Sequence, residues 1–169
     1  MHPSQTDKGF RAAMRRLAST VSVITCADHN NEWYGMTATA VTSVCVEPAT
    51  LLVCVNRSAS LHQPLHEGGR FCINLLQNEQ VEVAHAFSGQ LRGRDRFGIG
   101  RWEIRDGLPV LRNAQASLGC TLVKTLDHGT HSIFLGRVDA VVVAQKVAPL
   151  IYQDGVYAHA ISLESFVAA

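Results

Sequence analysis

Two short segments of the chain concentrate groups able to hold a planar, phosphate-bearing ligand. Gly35-Met36-Thr37-Ala38-Thr39-Ala40-Val41-Thr42-Ser43 combines hydroxyls with small side chains and almost no bulk. A flat ring can lie close to such a backbone and take hydrogen bonds from exposed N–H groups. The same composition also fits a Thr-rich barrel strand. Asn56-Arg57-Ser58-Ala59-Ser60 stands where an apolar strand gives way to a helical pattern. Free N–H groups there, with serine hydroxyls and the Arg57 cation, suit a phosphate. Plain helix capping by Ser58 or Ser60 accounts for this segment taken alone.

Other chemistries find less support. There is no G-x-x-x-x-G-K-[ST], and Gly98-Ile99-Gly100 lacks the third glycine and the strand–helix setting of a dinucleotide fingerprint. No G-x-S-x-G elbow is present. His62 and His66 are four apart and His128 and His131 three apart, but neither pair has the glutamate of H-E-x-x-H. These histidines read as residues of solvated turns, and no metal is expected. Cys26, Cys45, Cys54, Cys72 and Cys120 form no C-x-x-C and are odd in number. Set among Val, Ile, Leu and Thr, they read as reduced, buried and inert thiols in a cytoplasmic setting.

The elements that must position these groups are mostly strands. Phe10, Met14, Leu17 and Val21 have helical spacing, which predicts an amphipathic N-terminal helix capped near Thr6 or Asp7. Residues 21–27 are β-branched and stop at Asp28-His29-Asn30-Asn31. Residues 34–46 read as one extended stretch ended by Glu47-Pro48. Residues 50–56 read as a strand buried on both faces. A short helix through Leu61 and Leu65 ends at Gly68-Gly69, and residues 70–75 form a strand. Residues 77–87 look helical, with Val81, Ala84 and Phe87 inward. Residues 88–101, with four glycines and four arginines, read as a mobile loop. Strands over 117–126, 131–146 and 150–160 are divided by Asp127-His128-Gly129 and Asp154-Gly155, which are hairpin signals. Strands joined by hairpins, with a few helices, predict a mainly β fold: an antiparallel barrel with helical additions, in a single domain over residues 1–169.

Composition narrows the field further. The chain has 169 residues, with Lys+Arg 15 against Asp+Glu 14, a formal charge of +1. No basic field follows a phosphate backbone, so nucleic acid is not an expected partner. The longest apolar runs are far short of the ~20 residues of a membrane helix, and no secretory signal opens the chain. The charged fraction of 17% is low against a usual ~25%. Burial of neutral surface against a second copy or a ligand would account for it.

With these segments in order, the sequence from Gly35 through Gln80 resembles the short-chain NAD(P)H:flavin reductases of the FMN-binding split-barrel family. It is most like the branch serving 4-hydroxyphenylacetate 3-monooxygenase and pyrimidine utilisation. The likeness continues through Phe87-Ser88-Gly89, Arg96-Phe97, Gly107-Leu108-Pro109-Val110-Leu111 and Gly129-Thr130-His131.

The resemblance implies a Greek-key split β-barrel that forms a homodimer, with FMN or FAD near the subunit interface and NADH or NADPH as hydride donor. Thr37, Ala38 and Thr39 would line the flavin ring, with Ser43 and Val44 close by. Asn56, Ser58 and Ser60 would reach the ribityl and phosphate groups, and Phe71, Asn74 and Phe87 would complete the pocket. His131 would stand near the nicotinamide, positioning it. Thr130 replaces the aspartate of the family's Gly-Asp-His, and Cys45 and Ala49 stand where serine and a second proline are common. The implied function is hydride transfer to flavin N5 and supply of reduced flavin to a flavin-dependent monooxygenase. The alternatives are a split-barrel flavin- or haem-binding protein without turnover and a flavoenzyme that reduces a small substrate directly.

Overall fold

The computed structural model describes residues 4–163. Helix α1 (Gln5–Met14) begins at Ser4, whose hydroxyl accepts from the Asp7 N–H while the Asp7 carboxylate accepts from the Ser4 N–H. This reciprocal cap satisfies donors that a helix start leaves open and sets the start ahead of Thr6. The expected inward stripe does not pack: Phe10, Met14 and Leu17 are all exposed. The helix is tethered instead by Arg15, which reaches the Asp154 carboxylate and carbonyl.

Strands β1 (Ser19–Thr20) and β2 (Ser22–Ala27) follow. The stretch expected over residues 34–46 is two strands, β3 (Trp33–Ala38) and β4 (Val41–Val46), with Thr39 and Ala40 between them. Then come β5 (Ala49–Asn56), α2 (His62–Gly68) and β6 (Arg70–Leu75). Gly69 ends α2 in the left-handed region, φ 65°, where a side chain would be strained. Helix α3 (Val81–His85) runs into a wider turn at Ala86–Gln90, and a short 3₁₀ helix spans Gly93–Gly98. The rest is β7 (Trp102–Arg105), β8 (Leu108–Leu111), β9 (Ala116–His128), β10 (His131–Val143), β11 (Leu150–Gln153) and β12 (Val156–His159).

Seven strands form one sheet in the order β3-β2-β6-β9-β10-β5-β4, with every neighbouring pair antiparallel. Its two edge strands, β3 and β4, are consecutive in the chain. Ala38 and Val41 are three residues apart, so they lie within about 11 Å of each other, and the sheet must curl into a barrel. The Cys54 N–H donates to the Ala40 carbonyl at 3.1 Å. Past that bond the strands part, β3 staying with β2 and β5 with β10. This seam is the split in the barrel.

Curling gives each strand one inner face. In β5, Leu51, Val53 and Val55 are buried among Ile24, Phe71 and Phe134, while Leu52 and Cys54 are only half-buried. The expectation of burial on both faces is therefore corrected, because side chains alternate across a barrel wall. A second core lies outside the barrel, where Val21, Val23 and Leu76 meet Val83, Ala84, Phe87 and Phe97. Phe97 pins residues 88–101, expected as a mobile loop, into an edge-on cluster. Its ring centroid lies 4.9 Å from Phe87, 5.1 Å from Trp102 and 5.2 Å from Trp33. Among the described residues no helix is long and apolar enough to cross a membrane.

Candidate active site

The exposed edge of β3 is where the first candidate segment falls. Asp28 donates to Glu32 across the β2–β3 turn, and Ser22, Ile24 and Cys26 face Ala38, Met36 and Tyr34. Alternation along an antiparallel ladder then turns the main-chain groups of Met36 and Ala38 toward β2 and those of Gly35 and Thr37 outward. The Gly35 carbonyl shows this directly, because it accepts a hydrogen bond from the Arg96 guanidinium. Two residues on, the Thr37 N–H points the same way. The Thr37 hydroxyl is already committed, donating to the Ala84 carbonyl at 2.8 Å.

Thr37, Ala38 and Thr39 form one wall of a cavity of about 580 Å³, and His85, Ser88, Tyr152, Val156 and Tyr157 stand across it. This volume is within the ~300–1,000 Å³ of small-molecule sites. The Tyr157 ring meets His85 edge-on, with centroids 5.1 Å apart, and Tyr152 at 5.5 Å. Burial, then the neighbouring Tyr152, raises the Tyr157 phenol above its ordinary pKa, so it stays protonated at neutral pH. Toward Gly35 the β3 edge borders a smaller cleft of about 190 Å³, lined by Trp33, Tyr34, Ser60, Arg94 and Arg96. Arg94 lies over the Trp33 ring at 5.5 Å. The Arg96 Nε is buried without a hydrogen-bond partner among the described residues.

The second segment is a preformed turn. The Asn56 side-chain carbonyl accepts from both the Ser58 N–H, at 2.9 Å, and the Ser58 hydroxyl, at 2.8 Å. Arg57 ties the turn to the β9–β10 hairpin: its N–H donates to the Thr130 carbonyl and its guanidinium to the Gly129 carbonyl. Helix α2 is capped at Leu61 with no side-chain bond, so neither Ser58 nor Ser60 caps it. The Ser60 hydroxyl has no partner among the described residues, and Ser60 lines the cleft beside Gly35. His131 is exposed and sits opposite Asn56 in the β5–β10 register, its Nδ1 2.9 Å from the Thr130 hydroxyl.

Not every expected residue reaches a surface. Phe71 is fully buried inside the barrel and abuts the wall at Gly136. Asn74 is also fully buried. It donates to the Val23 carbonyl and the Thr25 hydroxyl, and accepts from the Leu111 N–H and the Ser117 hydroxyl. Phe87, 3% exposed, belongs to the outer core. These three support the walls and offer a ligand almost no surface. Ser43 and Val44 lie on exposed β4, where Ser43 lines a third, apolar groove with Thr39, Cys45 and Val141. Cys26, Cys72 and Cys120 are buried as expected, with their thiols pushed up to about 12 by burial. Cys45 is exposed and Cys54 half-buried, a correction that follows from their outward register. His85, Tyr152, Tyr157 and Arg94 were not singled out by the sequence, and Arg96 entered only within the Arg96-Phe97 likeness, with no role attached. The four arginines of residues 88–101 were the one signal that could have found Arg94.

Comparison with known proteins converges on one family. Residues 14–160 match the model of the flavin reductase like domain. The chain belongs to the flavin reductase like family. It is 40% identical over 157 residues to the reductase component of the FADH(2)-dependent resorcinol hydroxylase of Rhizobium sp. (strain MTP-10005), covering 92% of this chain and 88% of that protein. It is 40% identical over 149 residues to the FMN reductase (NADH) RutF of Methylorubrum populi, covering 88% and 73%. Among solved structures, the flavin reductase PheA2 superposes with a TM-score of 0.83 at 30% identity, over 92% of this chain and 99% of that one. The NADH:FAD oxidoreductase SgcE6 of Streptomyces globisporus C-1027 superposes with a TM-score of 0.86 at 27% identity, over 96% and 98%. Family membership makes the β3 edge a flavin site to test, and its composition fits. It offers outward main-chain donors, a cavity of suitable volume and a free hydroxyl beside two arginines.

Proposed function

We propose that this chain is an NAD(P)H-dependent flavin reductase that moves hydride from the nicotinamide to FMN or FAD and releases reduced flavin to a partner monooxygenase. The observation that carries the reading is the open β3 edge beside the cavity, in a chain of the flavin reductase like family. When bound, the flavin supplies the electron-accepting ring. The chain's own part is to bind and align, since hydride transfer needs two rings at short range and little covalent help. Thr37 donates its outward N–H to the ring's polar edge, and the small residues Ala38 and Thr39 let the ring approach the backbone. Asn56 holds the turn that presents Ser58 and Ser60 to the ribityl and phosphate groups. His131 positions the nicotinamide.

The reading includes a homodimer. The apolar groove of about 560 Å³ along β4 is bordered by Val46 at 85% exposure and Val141 at 55%. Contiguous apolar surface of this kind marks association sites. A second copy there would cover Thr39, Ser43 and Val44 and close the site from outside. Our reading puts this activity in the cytoplasm, a setting that the free cysteines and a nicotinamide donor support.

Steady-state oxidation of NADH and of NADPH, each with FMN and FAD, tests the proposal. Flavin-dependent oxidation is expected with at least one pair, together with turnover of a flavin-dependent oxygenase supplied only with the released flavin. No oxidation with any pair would refute it. His131→Ala is expected to raise KM for the nicotinamide. Unchanged kcat and KM would remove the role given to His131.

A further inference from the structure

His62, Ser132 and Asp127 form a hydrogen-bonded chain that the site described so far does not use. Ser132 is fully buried. Its hydroxyl donates to the Asp127 carboxylate, its cross-strand neighbour on β9. With that single proton committed, the His62 ring nitrogen Nε2, 2.7 Å away, must be the donor to the Ser132 oxygen. The ring is held further by an edge-on contact with Phe134, with centroids 5.3 Å apart.

The position of this chain gives it a purpose. Ser132 directly follows His131, and His62 lies two residues beyond Ser60. Arg57 fastens the start of the turn to the tip of the β9–β10 hairpin through Gly129 and Thr130. His62 fastens its far end to the next residues of the same hairpin. Ser58, Ala59 and Ser60 form the span between the two ties. Their orientation relative to His131 is set by two anchors rather than one.

We infer that His62 is a positioning residue, which through Ser132 and Asp127 locks the residue 56–60 turn and His131 into a single unit that receives the phosphate end of the flavin. The inference rests on the flavin reductase reading and adds to it residues that touch neither flavin nor nicotinamide. A fixed turn presents its N–H groups and Ser60 without first being ordered, so the tie acts on flavin affinity. Ring alignment at Thr37 is set by β3 and is left unchanged.

The test uses His62→Gln, His62→Leu and Ser132→Ala in the full chain. Glutamine carries an amide N–H near the Nε2 position, whereas leucine fills the same space without a donor. FMN binding is read by quenching of flavin fluorescence, which needs no turnover, and NADH oxidation is followed in parallel. Expected is a rise of about tenfold in the FMN Kd and KM for His62→Leu and Ser132→Ala, the scale of one lost hydrogen bond. kcat at saturating FMN should stay within twofold, and His62→Gln should lie close to wild type. His62→Leu with Ser132→Ala together should be no worse than either alone, since both cut one chain. Wild-type Kd in both single variants overturns the inference. So does a fall in kcat and Tm, shared by His62→Gln, that shows packing alone at stake. FMN binding without NADH or NADPH oxidation in the wild type would instead refute the reductase reading, and the Kd comparison would still decide the role of His62.

Discussion

Asn74 offers a sharp separation between a residue that binds flavin and one that builds the wall behind it. It is fully buried, and its side-chain carbonyl accepts from the Leu111 N–H at 2.9 Å and the Ser117 hydroxyl at 3.1 Å. Its amide donates to the Val23 carbonyl and the Thr25 hydroxyl. The side chain therefore joins β2, β6, β8 and β9 at one point. In Asn74→Ala the weakly donating Cys72 thiol, the Leu111 N–H and the Ser117 hydroxyl all lose their acceptor, the last two at about 1–3 kcal/mol each. Because the two share one acceptor and relax together, the sum is about 2–5 kcal/mol, a large share of the ~5–15 kcal/mol that holds a domain folded. At roughly 2–4 °C per kcal/mol, Tm falls by about 4–20 °C. The Thr25 hydroxyl keeps its bond to the Pro109 carbonyl, at 2.6 Å, so that side of the network survives. Urea unfolding gives the stability change, and fluorescence titration with FMN below the transition gives the affinity. Affinity within twofold of wild type is expected. A tenfold loss of FMN affinity with unchanged stability would refute the structural assignment and return Asn74 to the flavin pocket.

Other perturbations probe the same construction. In Gly35→Ala the new Cβ would stand 2.6 Å from Phe87 Cε1 and 3.3 Å from the Ile24 carbonyl. Phe97 and Trp102 hem in the Phe87 ring, so overpacking should cost about 1–3 kcal/mol, and an unchanged urea midpoint would show that the ring yields. Cys26, Cys72 and Cys120, with thiols pushed up to about 12, should resist a thiol reagent at pH 8 until denaturant is added. Reaction of any of them in the folded protein would contradict their burial. Burial, and then the nearby His66, holds the His62 pKa below its ordinary value, with Arg57 adding to this and Asp127 opposing it. The unfolded chain therefore takes up a proton near pH 6.5 that the folded chain refuses. Stability from this group is present above that pH and is lost as pH falls through it. His62→Gln should flatten that part of the urea-midpoint profile, and an equal slope in both proteins would oppose this assignment.

What could be read from the sequence was whatever local chemistry decides. Residues 70–75 form β6 with the expected bounds, Gly68-Gly69 ends α2, and Asp154-Gly155 turns the β11–β12 hairpin with φ of 50° and 90°. Asp106-Gly107 makes the same kind of turn, φ 49° and 77°. It is harder to read because Pro109 lies in the strand that follows, and proline argues against a strand. The division of residues 34–46 leaves no mark at all. Thr39-Ala40 has the same small, extended character as its flanks, and what separates β3 from β4 is the choice of partner strand. The site was legible as segments and not as a geometry. The resemblance brought Thr37, Asn56 and His131 into one list, but Arg96 meets Gly35 across 61 positions and His62 meets Ser132 across 70.

The location of the site follows from counting backbone partners. A barrel that closes fully has no edge and leaves no main-chain group to spare. This one closes only as far as the Cys54–Ala40 bond, which leaves the outward groups of β3 without a strand to meet them. Such groups need another partner if water is to be excluded. Arg96, brought in by a segment anchored through Phe97, takes the Gly35 carbonyl. No corresponding protein acceptor takes the outward Thr37 N–H among the described residues, and Thr37 lines the cavity of about 580 Å³ along that edge. A bound ring would supply at Thr37 what β4 supplies further along the seam. Flavin should therefore protect the Thr37 amide against hydrogen exchange and leave Val53, which is paired on both sides, unchanged. Protection of both amides alike would mean that the ligand stabilises the whole barrel rather than completing its open edge.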